Sequence, residues 1–335
     1  MNRILSSIAG IAALALGAAT IPAAAQDEGI LVYNAQHESL TQEWADRFTA
    51  ETGIKVTIRQ GSDLEVANQI LQEGANSPAD VFLTENSPGM VLVDTAGLLE
   101  PLPQDILDQV PPEFRPANGH WTGIAARSTV FAYDKNKLSE ASLPKSVMDL
   151  ADPSWKGRWA ASPAGADFQA IVAAILALKG EQATADWLKA MKENVVVYRG
   201  NRAAMAGVNK GEVEGALIYH YYWYGDQANT KENSGNVALH YFRNQDPGAF
   251  VSVSGGGVLA SSKHKEQALQ FLKWITGPGG QKVLREGTSF EYAIGVGEAA
   301  HPALPPIAEL DPPKVDPSML DNRKVSELMT AAGLL

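Results

Sequence analysis

The 335-residue sequence contains no cysteine. That excludes a disulfide framework and any thiolate metal site, so the fold must hold by packing even in an oxidising compartment. Positive charge is scarce as well: 27 Lys and Arg stand against 38 Asp and Glu, a formal net charge of −11. An acidic balance of this kind argues against nucleic acid or an anionic membrane as partner and is compatible with a cationic ligand. Catalytic signatures are missing too. There is no Ser-His-Asp order and no HExxH, and Gly255-Gly256-Gly257 lacks the following Lys-Ser/Thr of a phosphate-cradling loop, so it reads as a hinge or bulge. An enzyme is not expected. Internal repeats, low-complexity tracts and flexible linkers are absent.

Only one long apolar run occurs, Ile8 to Ile21, between Arg3 and Ala23-Ala24-Ala25. A basic start, an apolar stretch too short to cross a bilayer comfortably and a small-residue cleavage site make residues 1–25 a signal peptide, and the chain a secreted one. Without a nearby Cys the mature end carries no lipid. Cleavage leaves 310 residues (335 − 25) with a formal charge of −12 (26 basic against 38 acidic). A chain of that size outgrows one core, so two lobes are expected.

Short apolar runs alternate with helical patterns. Ile30 to Asn34 reads as a strand, Leu40 to Glu51 as a helix with Trp44, Ala45 and Phe48 on one face, and Ile54 to Ile58 as a strand. Ser62 and Glu65 have capping-box spacing and open a helix to about Glu73; Asp80 to Thr84 is the next strand, and Ser87-Pro88 starts another helix. This rhythm predicts an α/β fold with parallel strands whose C-terminal ends face the ligand. Further on, Thr129 to Tyr133 reads as a strand crossing between lobes, Ala166 to Leu178 and Thr184 to Glu193 as helices, Gly215 to Ile218 and Val251 to Leu259 as strands, and Lys263 to Thr276 as a helix broken by Gly277-Pro278-Gly279-Gly280. The Pro-rich tail from His301 to Pro317 reads as an irregular strap.

His37 and Glu85 fall just past predicted strands, where each either ligates a metal or caps the adjacent helix. Tyr219-His220-Tyr221-Tyr222-Trp223-Tyr224 follows the strand Ala216-Leu217-Ile218. Neighbouring strand side chains point to opposite faces, so two adjacent tyrosines converge only where a strand ends. An aromatic plug and a sugar-stacking platform remain alternatives. Together the four residues suit a ferric ion, which is hard and prefers anionic oxygen with imidazole tolerated. Two phenolates and one carboxylate neutralise its charge, and the cation displaces the phenolic protons. Zinc prefers Cys and His, and calcium and magnesium prefer carboxylates and carbonyls.

Over essentially the whole mature length the sequence resembles the periplasmic ferric-ion-binding proteins, receptors of bacterial iron importers. The landmarks are Val32-Tyr33-Asn34-Ala35-Gln36-His37, Ser77-Pro78-Ala79-Asp80-Val81-Phe82 leading to Glu85, Leu98-Leu99-Glu100-Pro101-Leu102, Tyr221-Tyr222-Trp223, and Arg243-Asn244-Gln245-Asp246-Pro247-Gly248-Ala249. The resemblance implies a two-lobed periplasmic-binding-protein clamp with crossing strands as hinge: residues 26–126 plus 251–294 as the first lobe, and 127–250 plus 295–335 as the second with its C-terminal strap. It implies iron held by His37, Glu85, Tyr221 and Tyr222, completed by carbonate, phosphate or water, and passed by a monomer to an ABC permease in the inner membrane. The family's anion rests on a Ser-Gly-Ala helix start and on asparagines. Here Ala164-Gly165-Ala166 lacks the serine, Asn201 matches one asparagine, and Tyr219 replaces another. Gly165 and Ala166 amides, Asn201, Arg127 and Arg199 are therefore the candidate anion contacts. The rivals are a same-fold receptor for an organic or phosphorylated solute and a secreted metalloenzyme.

Overall fold

A computed structural model describes residues 29–320 and 322–335. The signal-peptide assignment lies outside the described residues. Elements alternate from β1 (Ile30–Asn34) through α1 (Glu38–Thr52), β2 (Val56–Gln60), α2 (Asp63–Glu73), β3 (Val81–Leu83) and α3 (Ser87–Thr95). The short α4 (Gln104–Leu107) precedes a long β4 (Thr122–Asp134), followed by β5 (Trp159–Ala161), α5 (Ala166–Lys179), α6 (Glu181–Asn194), β6 (Val195–Val197), α7 (Asn201–Asn209), β7 (Gly215–Tyr219) and α8 (Tyr221–Ala228). The chain ends with β8 (Val237–His240), β9 (Val251–Val258), α9 (Lys265–Thr276), α10 (Pro278–Glu286), α11 (Ile307–Leu310) and α12 (Asn322–Ala331).

The strand order is β2-β1-β3-β9-β4-β7-β5-β6, with β8 also on β4. β1 runs parallel to both β2 and β3, and β5 parallel to β6 and β7, whereas β4 and β9 are antiparallel to their neighbours. The long β4 joins the two halves of this two-lobed clamp. Up to Ser128 it pairs with β9, and from Thr129 onward with β7. At the same waist Ala126 bridges to Tyr292, a further pass of the chain. One apolar core lies around Trp44, Phe48, Phe271 and Leu272 in the β1–β3 half, and another around Phe131, Trp159, Phe168 and Trp187 in the β5–β7 half.

Several local expectations hold. The capping box at Ser62 and Glu65 opens α2, and Pro88 sits in the first turn of α3. Others need correction. β4 is far longer than the five residues expected of it, because nearly every position is buried and the inside-outside alternation that marks a strand is lost. The triple glycine lies in the buried interior of β9, and the expected bulge falls on the facing strand, where the register shifts between Gly123 and Ala125 opposite Gly255 and Ser254. A Cβ on Gly256 would lie 2.7 Å from Leu272 Cδ1 and 2.8 Å from Ile124 Cγ2, so close packing accounts for the glycine. Gly277-Pro278 does not merely stop a helix; Pro278 takes the first turn of α10. There a Cβ on Gly280 would stand 2.3 Å from Ile275 O, which leaves room for glycine alone in so tight a helix–helix turn.

Candidate functional site

β1 delivers His37 to the start of α1, and β3 delivers Glu85. His37 Nε2 lies 3.2 Å from Glu85 Oε1, and His37 Nδ1 lies 2.8 Å from Glu291 Oε1. Behind Glu85, the Asp63 carboxylate accepts the amides of Glu85 and Asn86 at 2.8 and 3.0 Å, which fixes the turn after β3.

β7 ends at Tyr219, and Tyr221 and Tyr222 open α8. The strand gives way to the helix at His220, and the adjacent Tyr221 and Tyr222 rings lie side by side at the start of that helix, their centroids 4.3 Å apart. Tyr221 OH donates to Glu85 Oε1 at 2.8 Å. Tyr222 OH donates to Asp167 Oδ2 at 3.0 Å, with Tyr221 OH 3.3 Å from the same oxygen. His37 meets Tyr221 edge-on, ring centroids 4.8 Å apart. The four predicted ligands thus converge, and their contacts are proton-mediated ones that a cation would replace.

Asp167 was not anticipated. It stands in the first turn of α5, where a helix N-terminus favours negative charge, and it accepts from Asn86 Nδ2 at 3.1 Å and Asn201 Nδ2 at 2.7 Å. Its position in the sequence, directly after Ala164-Gly165-Ala166, was the available signal. Asn201 therefore reaches the site, but through this carboxylate. Ala166 borders a small gap beside Asp63, Asn86 and Gln169. Gly165 does not offer its amide, which donates to Ser162 O at 3.0 Å.

The two arginines divide. Arg127 is fully buried, its guanidinium 5.8 Å from the centre of the Tyr221 ring, and Nη2 donates to Glu291 Oε2 at 2.5 Å and Gln36 Oε1 at 3.2 Å. It is an ion-pair partner at the waist rather than an open anion platform. Arg199 is exposed, and among the described residues nothing ties it to the cluster; Arg202, one helical register on, lies 5.9 Å over the Tyr222 ring.

Electrostatically the site is split. Burial alone would raise the Glu85 carboxyl, but the His37 hydrogen bond, Arg127 and Tyr221 bring it down to about 2. Burial pulls His37 down, yet its hydrogen bonds to Glu291 and Glu85 push it up to about 10. Asp167 is raised to about 6 by burial and by Glu85, and Asp63 to about 8 for the same reasons. Both phenols are driven up by burial, then by Asp167 and Glu85. Among the described residues no three His, Asp or Glu side chains form a metal cage by themselves, so the phenols must complete any such site.

Comparison with known proteins identifies the family. Residues 43–292 match the bacterial extracellular solute-binding protein family. The chain is 62% identical to the Fe(3+)-binding periplasmic protein of Serratia marcescens, covering 96% of this chain and 94% of that one. It is 38% identical to the major ferric iron-binding protein of Neisseria meningitidis serogroup B, covering 96% and 97%. The crystal structure of iron-bound HitA from Pseudomonas aeruginosa superposes with a TM-score of 0.85 at 44% identity, covering 91% of this chain and 99% of that one. The chain belongs to the bacterial extracellular solute-binding proteins, in the branch formed by the periplasmic ferric-ion-binding proteins.

Proposed function

We propose that this protein captures ferric iron in the interlobe cleft through His37, Glu85, Tyr221, Tyr222 and Asp167, and delivers it to an inner-membrane ABC permease. It acts as a periplasmic monomer after removal of residues 1–25, with 26–126 plus 251–294 closing against 127–250 plus 295–335. One observation carries the reading: two adjacent tyrosine hydroxyls meet two carboxylates from different elements, Glu85 and Asp167, within 3.0 Å. Phenolate and carboxylate oxygens with one imidazole make the hard donor set that a trivalent cation prefers.

Asp167 supplies the anionic oxygen that an external carbonate or phosphate would bring, and water or such an anion fills any position left. An organic phosphate fits the cluster poorly. Its walls are carboxylate-rich, and Arg127 is committed to Glu291.

Adding ferric iron to the purified protein should produce a visible tyrosinate-to-iron absorption band, lost in the Tyr221→Phe/Tyr222→Phe double variant. Titration with neither colour nor measurable affinity would sink the iron reading.

A further inference from the structure

We infer that Glu291 is a positioning residue for His37, and that its ion pair with Arg127 anchors this metal ligand to the waist between the lobes. The inference rests on the iron reading and adds to it a residue over 250 positions away from the one it orients.

Glu291 and Arg127 are both fully buried. Burying an ion pair contributes little net stability, because desolvation offsets the attraction, so its persistence calls for another role. The geometry supplies one. Glu291 turns Oε1 to His37 Nδ1 at 2.8 Å and Oε2 to Arg127 Nη2 at 2.5 Å. Gln36 closes the frame: its Nε2 donates to Glu291 Oε2 at 3.2 Å and to Ser254 Oγ at 2.8 Å, while its Oε1 accepts the His37 amide at 2.7 Å. Ser254 Oγ in turn donates to the Glu85 carbonyl at 3.1 Å.

A carboxylate acceptor on Nδ1 holds the proton on that nitrogen and leaves the Nε2 lone pair for a metal. Nε2 is the nitrogen that faces Glu85, whose Oε1 accepts from Tyr221 OH. Arg127 holds the carboxylate in place and balances its charge. Arg127 also follows Ala126, which bridges to Tyr292, the neighbour of Glu291. The orienting frame is therefore built from two of the chain passes that form the waist.

The test is a double-mutant cycle on ferric affinity, measured by competition with citrate. Glu291→Gln should weaken binding about 10- to 100-fold while the tyrosinate band remains. In the His37→Ala background the same change should cost less than about threefold, because Glu291 acts through the imidazole. Pulsed EPR of the iron-loaded protein should show imidazole-nitrogen coupling in the wild type, none in His37→Ala, and weakened coupling in Glu291→Gln. Should Glu291→Gln fail to fold, Glu291→Asp enters the same cycle, with a smaller loss expected. Equal losses in both backgrounds, or no loss in either, overturn the inference while the iron reading stands. A wild type without the tyrosinate band removes both.

Discussion

The two walls of the cleft are built on different terms. On one wall, His37 and Glu85 are each backed by a buried carboxylate, Glu291 behind the imidazole and Asp63 behind the turn that carries Glu85. Glu85 is ionised far below neutral pH, so this wall carries its charge before any ligand arrives. On the other wall, the Tyr221 and Tyr222 hydroxyls donate to Glu85 and Asp167. Burial and the facing carboxylates keep both phenols protonated. One wall holds an ionised carboxylate in advance and the other is charged by the cation, so two of the protons that binding expels, and the sharpest mutational sensitivity, fall on the tyrosine side.

The largest effect should follow from removing a phenol. Tyr221→Phe or Tyr222→Phe should each weaken ferric binding by about a thousandfold, on the order of 4 kcal/mol, since each deletes an anionic ligand. Truncating the backed wall with His37→Ala should cost less, about 10- to 100-fold, because water can replace a neutral nitrogen donor. Competition with citrate measures both. A His37 loss equal to that of the tyrosines would erase the distinction between the walls.

The pH dependence follows from the same asymmetry, and its sign is fixed. At pH 7 the metal-free site holds protons on both phenols and on His37, whose affinity lies at about 10. Binding must expel them, so affinity rises with pH, by about three logarithmic units per pH unit near neutrality. Below about pH 6 Asp167 is protonated as well, and the slope steepens. Acid released on iron addition in weakly buffered solution counts these protons directly. A slope near one would mean that the tyrosines do not ligate as phenolates.

What the sequence made legible, and what it did not, follows the same physics. Short apolar runs with caps announced β1, α2 and α3, and the adjacency of Tyr221 and Tyr222 at a strand end announced the tyrosine wall. β4 was cut short because Arg127 and Ser128, both buried in its middle, have the polar side chains of surface residues. Glu291 was invisible because only tertiary folding brings it beside His37. Asp167 was passed over because attention rested on the helix-start amides, whereas the helix N-terminus is served by the carboxylate of its own first turn. Arg202 was not legible because the linear pattern does not give the turn by which α7 presents its side chains.

Asp167 tests whether the tyrosine wall is complete by itself. Asp167→Asn removes the charge while leaving a side chain of the same shape for Asn86 and Asn201 to meet. Ferric affinity should fall about 10- to 100-fold, as for loss of one carboxylate ligand, and added carbonate or phosphate should restore about tenfold of it. The wild type should respond to the same anions by less than about threefold. A wild type that needs the anion as much as the variant does would place Asp167 outside the coordination sphere.

The smallest expected effect separates two arginines that stand almost equally far from the two tyrosines. Arg127 lies 5.8 Å over Tyr221 and is fully buried, whereas Arg202 lies 5.9 Å over Tyr222 and is exposed to solvent. Distance alone would give them similar influence on the phenolates. Solvent does not: an exposed cation over a ring contributes about 0.5–1 kcal/mol, and salt screens its field within ~10 Å at 0.1 M. Arg202→Gln should therefore weaken ferric binding by no more than about fivefold at low salt, and by nearly nothing at about 1 M salt, where screening acts within ~3 Å. Arg127→Gln should keep its penalty at any salt concentration, because it takes a buried counter-charge away from Glu291 and leaves only His37 and Gln36 of its present partners. Measuring both variants across an ionic-strength series decides the matter. If the Arg202 effect survives high salt, the Tyr222 ring is more enclosed when iron is bound than its exposed neighbour implies, and the tyrosine wall closes over its ligand further than the 5.9 Å approach of Arg202 suggests.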